Sequence, residues 1–485
     1  MAAINRVLDP RPIRSLSDSE GVGGGQGIEA ARKFGASAIF EELEAAGLRG
    51  RGGAGFPTAT KWRTVAENRS DRAPLTVVVN AAEGEPGSFK DRSLIRANPF
   101  KILEGAVIAA HALRADRIVV ALKSSFSTEK ALLDSAISEV AKAGWAEGVA
   151  VETFAGPDDY LFGEETGLLE ALEGRPPFPR ISPPYRRGAA LSAAGDIQSA
   201  SDKQLAGPGE STSASPTLVN NAETFAHVAM ILANGATWFR EQGTDASPGS
   251  VVCTVSGSTK RAGVGEFAFG TPLAEVLETV GGRTSPGDRL TAVISGVANP
   301  LIPASLISTP LGFDEMQGVG AGIGAAGFIV FDDSVDIVAA VAGISRFLAV
   351  ESCGQCVPCK RDGLALADLL DRMGNSETGD QPELAVAGLA DFAETVVDEA
   401  RCFLATQHQL VVNSLLSLFP DQVRARASGT LAAVEPLPIL PLVDIDDGVA
   451  VYEQRQLSKQ PDWTYDATDS GQWPAQRMDP GQGEL

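Results

Sequence analysis

Histidine is nearly absent from this chain, with 3 in 485 residues. His111, His227 and His408 are scattered and give neither a metal-ligand pair nor a Ser–His–Asp order, so each is expected in a core or surface role. Aromatic side chains are scarce as well, at 20 Phe, 5 Trp and 4 Tyr. Basic residues are outnumbered, 40 Lys and Arg against 62 Asp and Glu, for a net charge of −22. Such an acidic chain lacks the basic footprint that a nucleic-acid surface requires. Long apolar runs are missing too. The most apolar stretch, GFIVFDDSVDIVAAV at 327–341, is interrupted by Asp332, Asp333 and Asp336, whereas a membrane helix needs roughly 18 or more apolar residues. The opening MAAINRVLDPRPIRSLSDSEG is charged throughout, without the apolar centre of a secretory signal. The expectation is a cytoplasmic protein that reaches the inner face of a membrane only through partners.

What is present is enough for several folded units, with 44% hydrophobic and 21% charged residues. The first 28 residues end in the glycine-rich GVGGGQG and read as a weakly structured arm. IEAARKFGASAIFEELEAAG, from Ile28 to Gly47, has helical periodicity, with Phe40, Leu43 and Leu48 on its apolar stripe. LTVVVN, NPFKILEGAVIAAHAL, ADRIVVALK, TEKALLDSAISEVAKAG and VAVETFAG then alternate strand, helix, strand, helix, strand, the rhythm of an α/β layer with a parallel sheet. Near Gly249 the pattern changes. SVVCTVSG, LTAVISG and GFIVFDD are short strands around one helix, TPLAEVLETVGG, which reads as a small α+β domain. Helices follow to Val423, and the final stretch, rich in Pro, Asp and Gln, reads as an extended tail that wraps a neighbour or stays mobile.

Five cysteines carry the strongest chemical signal. Cys253 stands alone in VVCTV and is expected to be a small buried hydrophobe. Cys353, Cys356 and Cys359 form Cys-x-x-Cys-x-x-Cys in ESCGQCVPCKRDG, with Cys402 far downstream. Zinc sites more often use paired Cys-x-x-Cys units or add histidine, whereas three closely spaced thiolates plus one remote thiolate is the usual ligand set of a [4Fe-4S] cluster. Lys360 and Arg361, beside the loop, are expected to raise the cluster potential by offsetting thiolate charge.

GLRGRGGAGFPTATKW at 47–62 contains a formal G-x-G-x-x-G at Gly50, Gly52 and Gly55. A dinucleotide fingerprint would follow a strand and open a helix at its last glycine. Here a helix precedes the loop and Phe56-Pro57 follows it, so that reading fails. What remains is a backbone stripped of Cβ atoms and flanked by Arg49, Arg51 and Lys61, which suits a phosphate or flavin cradle, or a purely structural loop. VVVNAAEGEPGSFKDR at 77–92 puts Asn80 at the carboxyl end of a buried strand, where open α/β sheets bind ligands, followed by Glu83 and Glu85 in a turn. In GPDDYLFGEETGLLEALEG, Glu164 and Glu165 precede a helix, where carboxylates commonly do no more than complement the helix dipole.

Together with PTLVNNAETFAHV at 216–228, these stretches resemble one family, the FMN- and NADH-binding flavoprotein subunits of NADH:quinone oxidoreductase (complex I). That family includes the diaphorase subunits of NAD-linked formate dehydrogenases and hydrogenases. The resemblance runs from about Gly47 to about Phe419. It implies an α/β FMN- and NADH-binding domain at 29–248, a ubiquitin-like β-grasp domain at 249–333 and a helical bundle carrying one [4Fe-4S] cluster at 334–430, set between the N-terminal extension at 1–28 and the tail at 431–485 read from composition. It further implies that Gly50, Arg51, Gly52, Gly53, Lys61, Asn80, Asn220, Asn221 and Thr224 hold FMN, and that Phe56, Lys61, Glu85, Glu165 and Tyr185 line the NAD(H) site. Glu85 and Glu165 would be the catalytic-site carboxylates, holding the nicotinamide amide and ribose hydroxyls rather than acting as acid or base, and Cys353, Cys356, Cys359 and Cys402 the iron ligands.

The implied activity passes hydride between NAD(H) and FMN and single electrons to or from the cluster. The implied partners are a thioredoxin-like [2Fe-2S] subunit and a large iron–sulfur subunit, whether of complex I, a hydrogenase or a molybdenum or tungsten formate dehydrogenase. Three departures concern the nucleotide site: Ala82 replaces an acidic residue, Thr64 a second aromatic and Ser182 a lysine. Tyr185 stands where the family usually has Phe and keeps a ring for stacking. The alternatives are a subunit running toward NAD⁺ reduction and a non-catalytic electron-transfer adaptor with a weakened NAD site.

Overall fold

The computed structural model describes residues 3–69, 74–189, 216–282, 289–378, 381–465 and 468–478. The chain divides into two compact units, one of Asn5–Glu83 with Asp91–Ser250, the other of Met1–Ile4, Gly84–Lys90 and Val251–Leu485.

In the first unit the elements run α1 (Leu16–Gly21), α2 (Gln26–Lys33), α3 (Ala36–Ala46), α4 (Thr58–Glu67), β1 (Thr76–Asn80), α5 (Lys90–Ala97), α6 (Pro99–Leu113), β2 (Arg117–Lys123), α7 (Ser127–Lys142), β3 (Ala150–Gly156), α8 (Glu165–Leu172), β4 (Thr217–Asn221), α9 (Ala222–Asn234) and α10 (Ala236–Arg240). The strands lie in the order β3-β2-β1-β4, and each neighbouring pair is parallel. Val77, Val78 and Val79 of β1 are buried because both faces of a parallel sheet are covered by helices. α6 begins as its sequence dictates: Pro99 needs no hydrogen-bond partner for its nitrogen, and the Asn98 side chain accepts from the Phe100 amide. Its Gly105 is required by packing, since a Cβ there would collide with the Phe225 carbonyl of α9.

Two expectations change here. The stretch from Ile28 to Gly47 is two helices, because the chain breaks at Phe34 and Gly35. The N-terminal arm is not weakly ordered over its described residues. Arg6 stacks 3.9 Å over the Trp238 ring and donates to the Trp238 carbonyl, and Asp9 pairs with Lys101 at 2.7 Å. The glycines of GVGGGQG bring backbone amides onto the buried Glu104 carboxylate, which accepts from Gly25, Gly27 and Ile28.

The second unit continues with β5 (Ser250–Gly257), β6 (Gly263–Ala268), α11 (Leu273–Gly281), β7 (Leu290–Ser295), β8 (Ile302–Pro303), α12 (Phe313–Gly318), β9 (Gly327–Asp332), α13 (Ile337–Glu351), α14 (Val357–Gly374), α15 (Pro382–Thr395), α16 (Leu404–Leu418), α17 (Pro420–Ala427), β10 (Leu442–Asp446), β11 (Val449–Tyr452) and α18 (Pro474–Met478). Its five-stranded sheet has the order β6-β5-β9-β7-β8, with β5 parallel to β9 and β7 antiparallel to it. β6 and β8 extend the three strands read from the sequence; both are short and lack an uninterrupted apolar run. Val251, Cys253 and Val255 alternate onto one core with Phe267, Val276, Val280 and Phe328.

The tail corrects a further expectation. It wraps its own chain: the Val434 amide donates to the Gly374 carbonyl, and Leu437 to that of Ala339. An antiparallel β10–β11 hairpin follows, and Trp463 is 6% exposed. The tail's residues 466–467 and 479–485 lie outside the described residues. Among the described residues no helix is long and apolar enough to cross a membrane.

Candidate functional site

The sheet order β3-β2-β1-β4 places a change of winding direction between β1 and β4, and ligands of open parallel sheets bind at the carboxyl ends of the strands at such a point. β1 ends at Asn80 and β4 at Asn221, and the two residues are register partners. Their side chains do different work. The Asn80 amide group donates to the Gly163 carbonyl at 2.8 Å and its oxygen accepts from the Ala82 amide, so both ends are engaged within the protein. Asn221 caps α9 through the Glu223 amide and donates to Asp91 at 2.7 Å. Asn220 accepts from the Trp62 indole at 2.9 Å. An indole N–H only donates, so the Asn220 oxygen is fixed toward Trp62, and its amide nitrogen has no partner among the described residues.

The glycine-rich loop closes over this edge. Thr58 donates to the Leu48 carbonyl and Gly50 to that of Phe56, both at 2.9 Å, which pinches the ends together, and Arg49 bonds the Gly55 carbonyl across the loop. Gly53 has φ 118 and Gly55 φ 61, in the left-handed region that side chains rarely adopt. A Cβ on Gly52 would sit 3.2 Å from the Asn221 Cβ. The Arg51 amide donates to the Thr224 hydroxyl at 2.9 Å, binding the loop to the first turn of α9. The Arg51 guanidinium is buried and donates to the Ser250 and Arg49 carbonyls. The loop is thus a rigid, Cβ-poor cradle beside a helix N-terminus, which suits a flat, anionic cofactor such as FMN.

Lys61, one turn into α4, reaches Glu165 at 2.6 Å, with both side chains partly exposed. The two carboxylates before α8 therefore divide the work. Glu164 is the N-cap, accepting from the Thr166 and Gly167 amides, and burial raises its pKa against the lowering effect of those bonds. Glu165 instead turns to Lys61. Phe56 is 52% exposed, an apolar ring left open to contact. Tyr185 is half-buried next to Pro184, whose carbonyl accepts from the Thr217 amide. Ala82 is buried, while the Thr64 hydroxyl bonds back to the Thr60 carbonyl of its own helix. Glu83 caps α5 and holds Arg92 at 3.0 Å in a buried ion pair, a structural role the turn motif did not reveal. Glu85 lies in the segment Gly84–Lys90 of the other unit, where it accepts from the Val297 amide at 2.7 Å.

The cysteine motif lies between α13 and α14. Cys353, Cys356 and Cys359 are buried and Cys402 is half-buried, and none of the four is in a disulfide. Cys359 sits inside the first turn of α14, not in a loop, because Pro358 starts the helix at Val357. Burial pushes the Cys353 thiol up and Cys359 up to about 12, and the neighbouring cysteines add to both shifts. Gln355 donates to the Cys353 sulfur at 3.5 Å, and the Ser352 hydroxyl lies 3.3 Å from the Cys359 sulfur. Arg401, the neighbour of Cys402, donates to Gln355 at 3.1 Å, which fastens the remote cysteine's segment to the motif.

Lys360 is a cation that acts on the Cys353 and Cys359 thiols. It is fully buried, donates to the Ala349, Val350 and Ser352 carbonyls at the end of α13, and is drawn down to about 8 by burial. Arg361 pairs with Asp362. Among the described residues no three His, Cys, Asp or Glu side chains converge tightly enough to hold one metal ion. Four cysteines, one for each iron, would be the donor set of a [4Fe-4S] cluster.

Comparison with known proteins agrees with both regions. The family described as "Nuo51 FMN-binding domain" matches residues 43–230, and that described as "NADH-ubiquinone oxidoreductase-F iron-sulfur binding region" matches 339–426. The F subunit of NADH-quinone oxidoreductase from Rickettsia typhi is 33% identical over 398 residues, covering 80% of this chain and 88% of its own. An F subunit of the same enzyme from Rhizobium meliloti is 35% identical over 404 residues, covering 80% and 90%. The crystal structure of an NAD⁺-reducing [NiFe]-hydrogenase in its H2-reduced state superposes with a TM-score of 0.72 at 31% identity, covering 89% of this chain and 68% of that one.

Proposed function

This chain belongs to the family of NADH-quinone oxidoreductase F subunits, and from that premise we propose how its residues serve a flavin-bearing NADH dehydrogenase subunit of a multisubunit redox complex. Bound to the chain, FMN and one [4Fe-4S] cluster supply the conversion between two-electron hydride chemistry and single electrons.

The observation that carries the site assignment is the glycine loop clamped by Arg51 and Thr224 at the β1–β4 switch point. Gly50, Gly52 and Gly53 let the backbone approach the flavin, and the unengaged amide of Asn220 donates to it. Asn80 and Asn221 act one step back, fixing the turn at Gly163 and the start of α9. Lys61 and Glu165 neutralise each other until a dinucleotide arrives, after which Glu165 accepts from ribose hydroxyls and Lys61 faces phosphate. Phe56 and Tyr185 supply rings for stacking. Glu165 positions and does not act as acid or base, because hydride transfer needs approach to about 3–3.5 Å and no proton at the carbon.

Cys353, Cys356, Cys359 and Cys402 are assigned as the iron ligands. The five-stranded unit, with its parallel central pair β5 and β9 and the helix α11, fits a β-grasp fold, and α13–α17 fit the cluster-bearing bundle. The remaining cysteine, Cys253, is fully buried, so a [2Fe-2S] centre belongs to a partner, for which a thioredoxin-like subunit and a large iron–sulfur subunit are proposed. The likeness to the NAD⁺-reducing hydrogenase favours a second reading, a complex that runs toward NAD⁺ reduction.

The test is flavin, iron and zinc content of the purified complex together with its NADH:ferricyanide activity. One FMN and four irons per chain with activity are expected. Stoichiometric zinc without iron would overturn the ligand assignment, and both cofactors without NADH oxidation would leave an electron-transfer adaptor.

A further inference from the structure

The tail beyond residue 430 lies outside both matched regions, the second of which ends at 426. Its course nevertheless follows α13 to the cysteine motif. Leu437 packs its carbonyl against Gly343, a position where any Cβ would collide with it. Past the β10–β11 hairpin, Lys459 forms a buried ion pair with Glu351, the last residue of α13, at 2.8 Å, and Gln456 bonds the same carboxylate. The Trp463 indole donates to the Val350 carbonyl at 2.8 Å, and the residue has φ 65, a conformation that a bulky side chain adopts only where its surroundings over-determine it. Asp462 beside it is fully buried and accepts from the Thr464 and Ser470 amides. Finally the Ala475 amide donates to the Cys353 carbonyl at 2.8 Å, and the Trp473 Cβ lies 2.6 Å from where a Cβ on Gly354 would be. Gly354 has φ 79, so this cysteine-loop residue is suited to its neighbour both in conformation and in space.

A buried Lys–Glu pair contributes little net stability relative to an apolar replacement, but separating the two leaves an uncompensated buried charge, which penalises other placements of the tail. Here it fixes the tail at the end of the helix from which the cysteine loop departs.

We propose that residues 459–465 and 468–478 act as a strap that seals the cysteine loop, with Trp473 laid over Gly354 to keep solvent and dissolved oxidants from the cluster. The inference rests on the cluster assignment above. Lys459–Glu351 and Trp463–Val350 anchor the strap, and Trp473 is its cover. Removing the cover leaves the anchors in place, so its effect is separable from loss of fold.

The experiment uses the complex purified without air, with Trp473→Ala and Trp473→Phe. Iron per chain and FMN per chain are measured first, then the decay of the reduced-cluster EPR signal on exposure to air and the anaerobic release of iron to a ferrous chelator. The Ala variant should match the parent in iron, flavin and melting temperature, yet its reduced cluster should be reoxidised by air several-fold faster and its iron released to the chelator several-fold faster, and Phe should restore the parent rates. Parent-like decay in the Ala variant would overturn the strap. So would an Ala variant that never acquires iron, because that is a role in building the site. A parent complex without iron would overturn the cluster assignment, and the strap with it.

Discussion

The ammonium of Lys61 and the carboxylate of Glu165 stand 2.6 Å apart, one on the helix that follows the glycine loop and the other at the start of α8. Each would otherwise be a bare charge at the mouth of the sheet. Partly exposed pairs of this kind are worth up to about 1 kcal/mol, so a ligand can replace the contact at little cost. Glu165→Gln should raise KM for NADH by about threefold to tenfold, each tenfold being about 1.4 kcal/mol. FMN content and FMN photoreduction should be unchanged. A flavin-depleted variant would place Glu165 in the fold rather than in the nucleotide site.

Gly53, at φ 118, should tolerate no side chain. Gly53→Val is expected to abolish FMN retention while iron persists. Gly52→Ala should be milder, because the Asn221 Cβ at 3.2 Å needs to give by only a few tenths of an ångström. Fluorescence of flavin released on denaturation measures both.

Among the cysteines the contrast is between Cys402 and Cys253. Cys402→Ala should leave a three-iron or damaged centre, whereas Cys253→Ala, inside the β5 core, should leave iron unchanged. EPR with iron analysis distinguishes the two.

Glu104 gives a pH dependence. Burial raises its pKa from 4.5 to about 7 although three backbone amides donate to it. Between those values the folded chain binds more protons than the unfolded one, so this group's contribution to stability is fully present below about 4.5 and is lost as pH rises toward 7. Glu104→Gln should flatten that part of the profile of melting temperature against pH.

If Ser182 occupies the lysine position that the family resemblance implies beside the dinucleotide, Ser182→Lys should lower KM for NADH without altering flavin content. An unchanged KM would remove this departure as a cause of weaker binding.

The cofactor regions were legible because their chemistry is local. Three cysteines at fixed spacing and a run of glycines are read without knowing what lies across the sheet. What each asparagine does was not legible: Asn80 and Asn220 look alike in sequence, yet of the two it is Asn220 whose amide nitrogen has no partner among the described residues, and that depends on Trp62 and Gly163 far along the chain. Glu164 and Glu165 are adjacent carboxylates whose roles are separated by one position of a helix cap. The tail misled for a related reason. Its Pro, Asp and Gln composition gives no periodic apolar face, and it is held by single buried residues, Lys459, Asp462 and Trp463, each paired with a specific neighbour.

The register of Asn80 against Asn221 also sets a timetable for the molecule. The two strand ends are 141 positions apart in the chain and lie side by side only after β4 has returned past β2 and β3 to the far side of β1. Contacts of such high sequence separation form late, since the closure entropy of the intervening chain must be overcome before they give anything back. A chain still emerging from the ribosome, with β4 not yet made, has a glycine loop but no Asn220, no Asn221 and no Thr224 to hold it. On the proposed flavin assignment, flavin capture would mark the docking of β4, and a fragment ending before Thr217 should remain colourless however well its first three strands had paired.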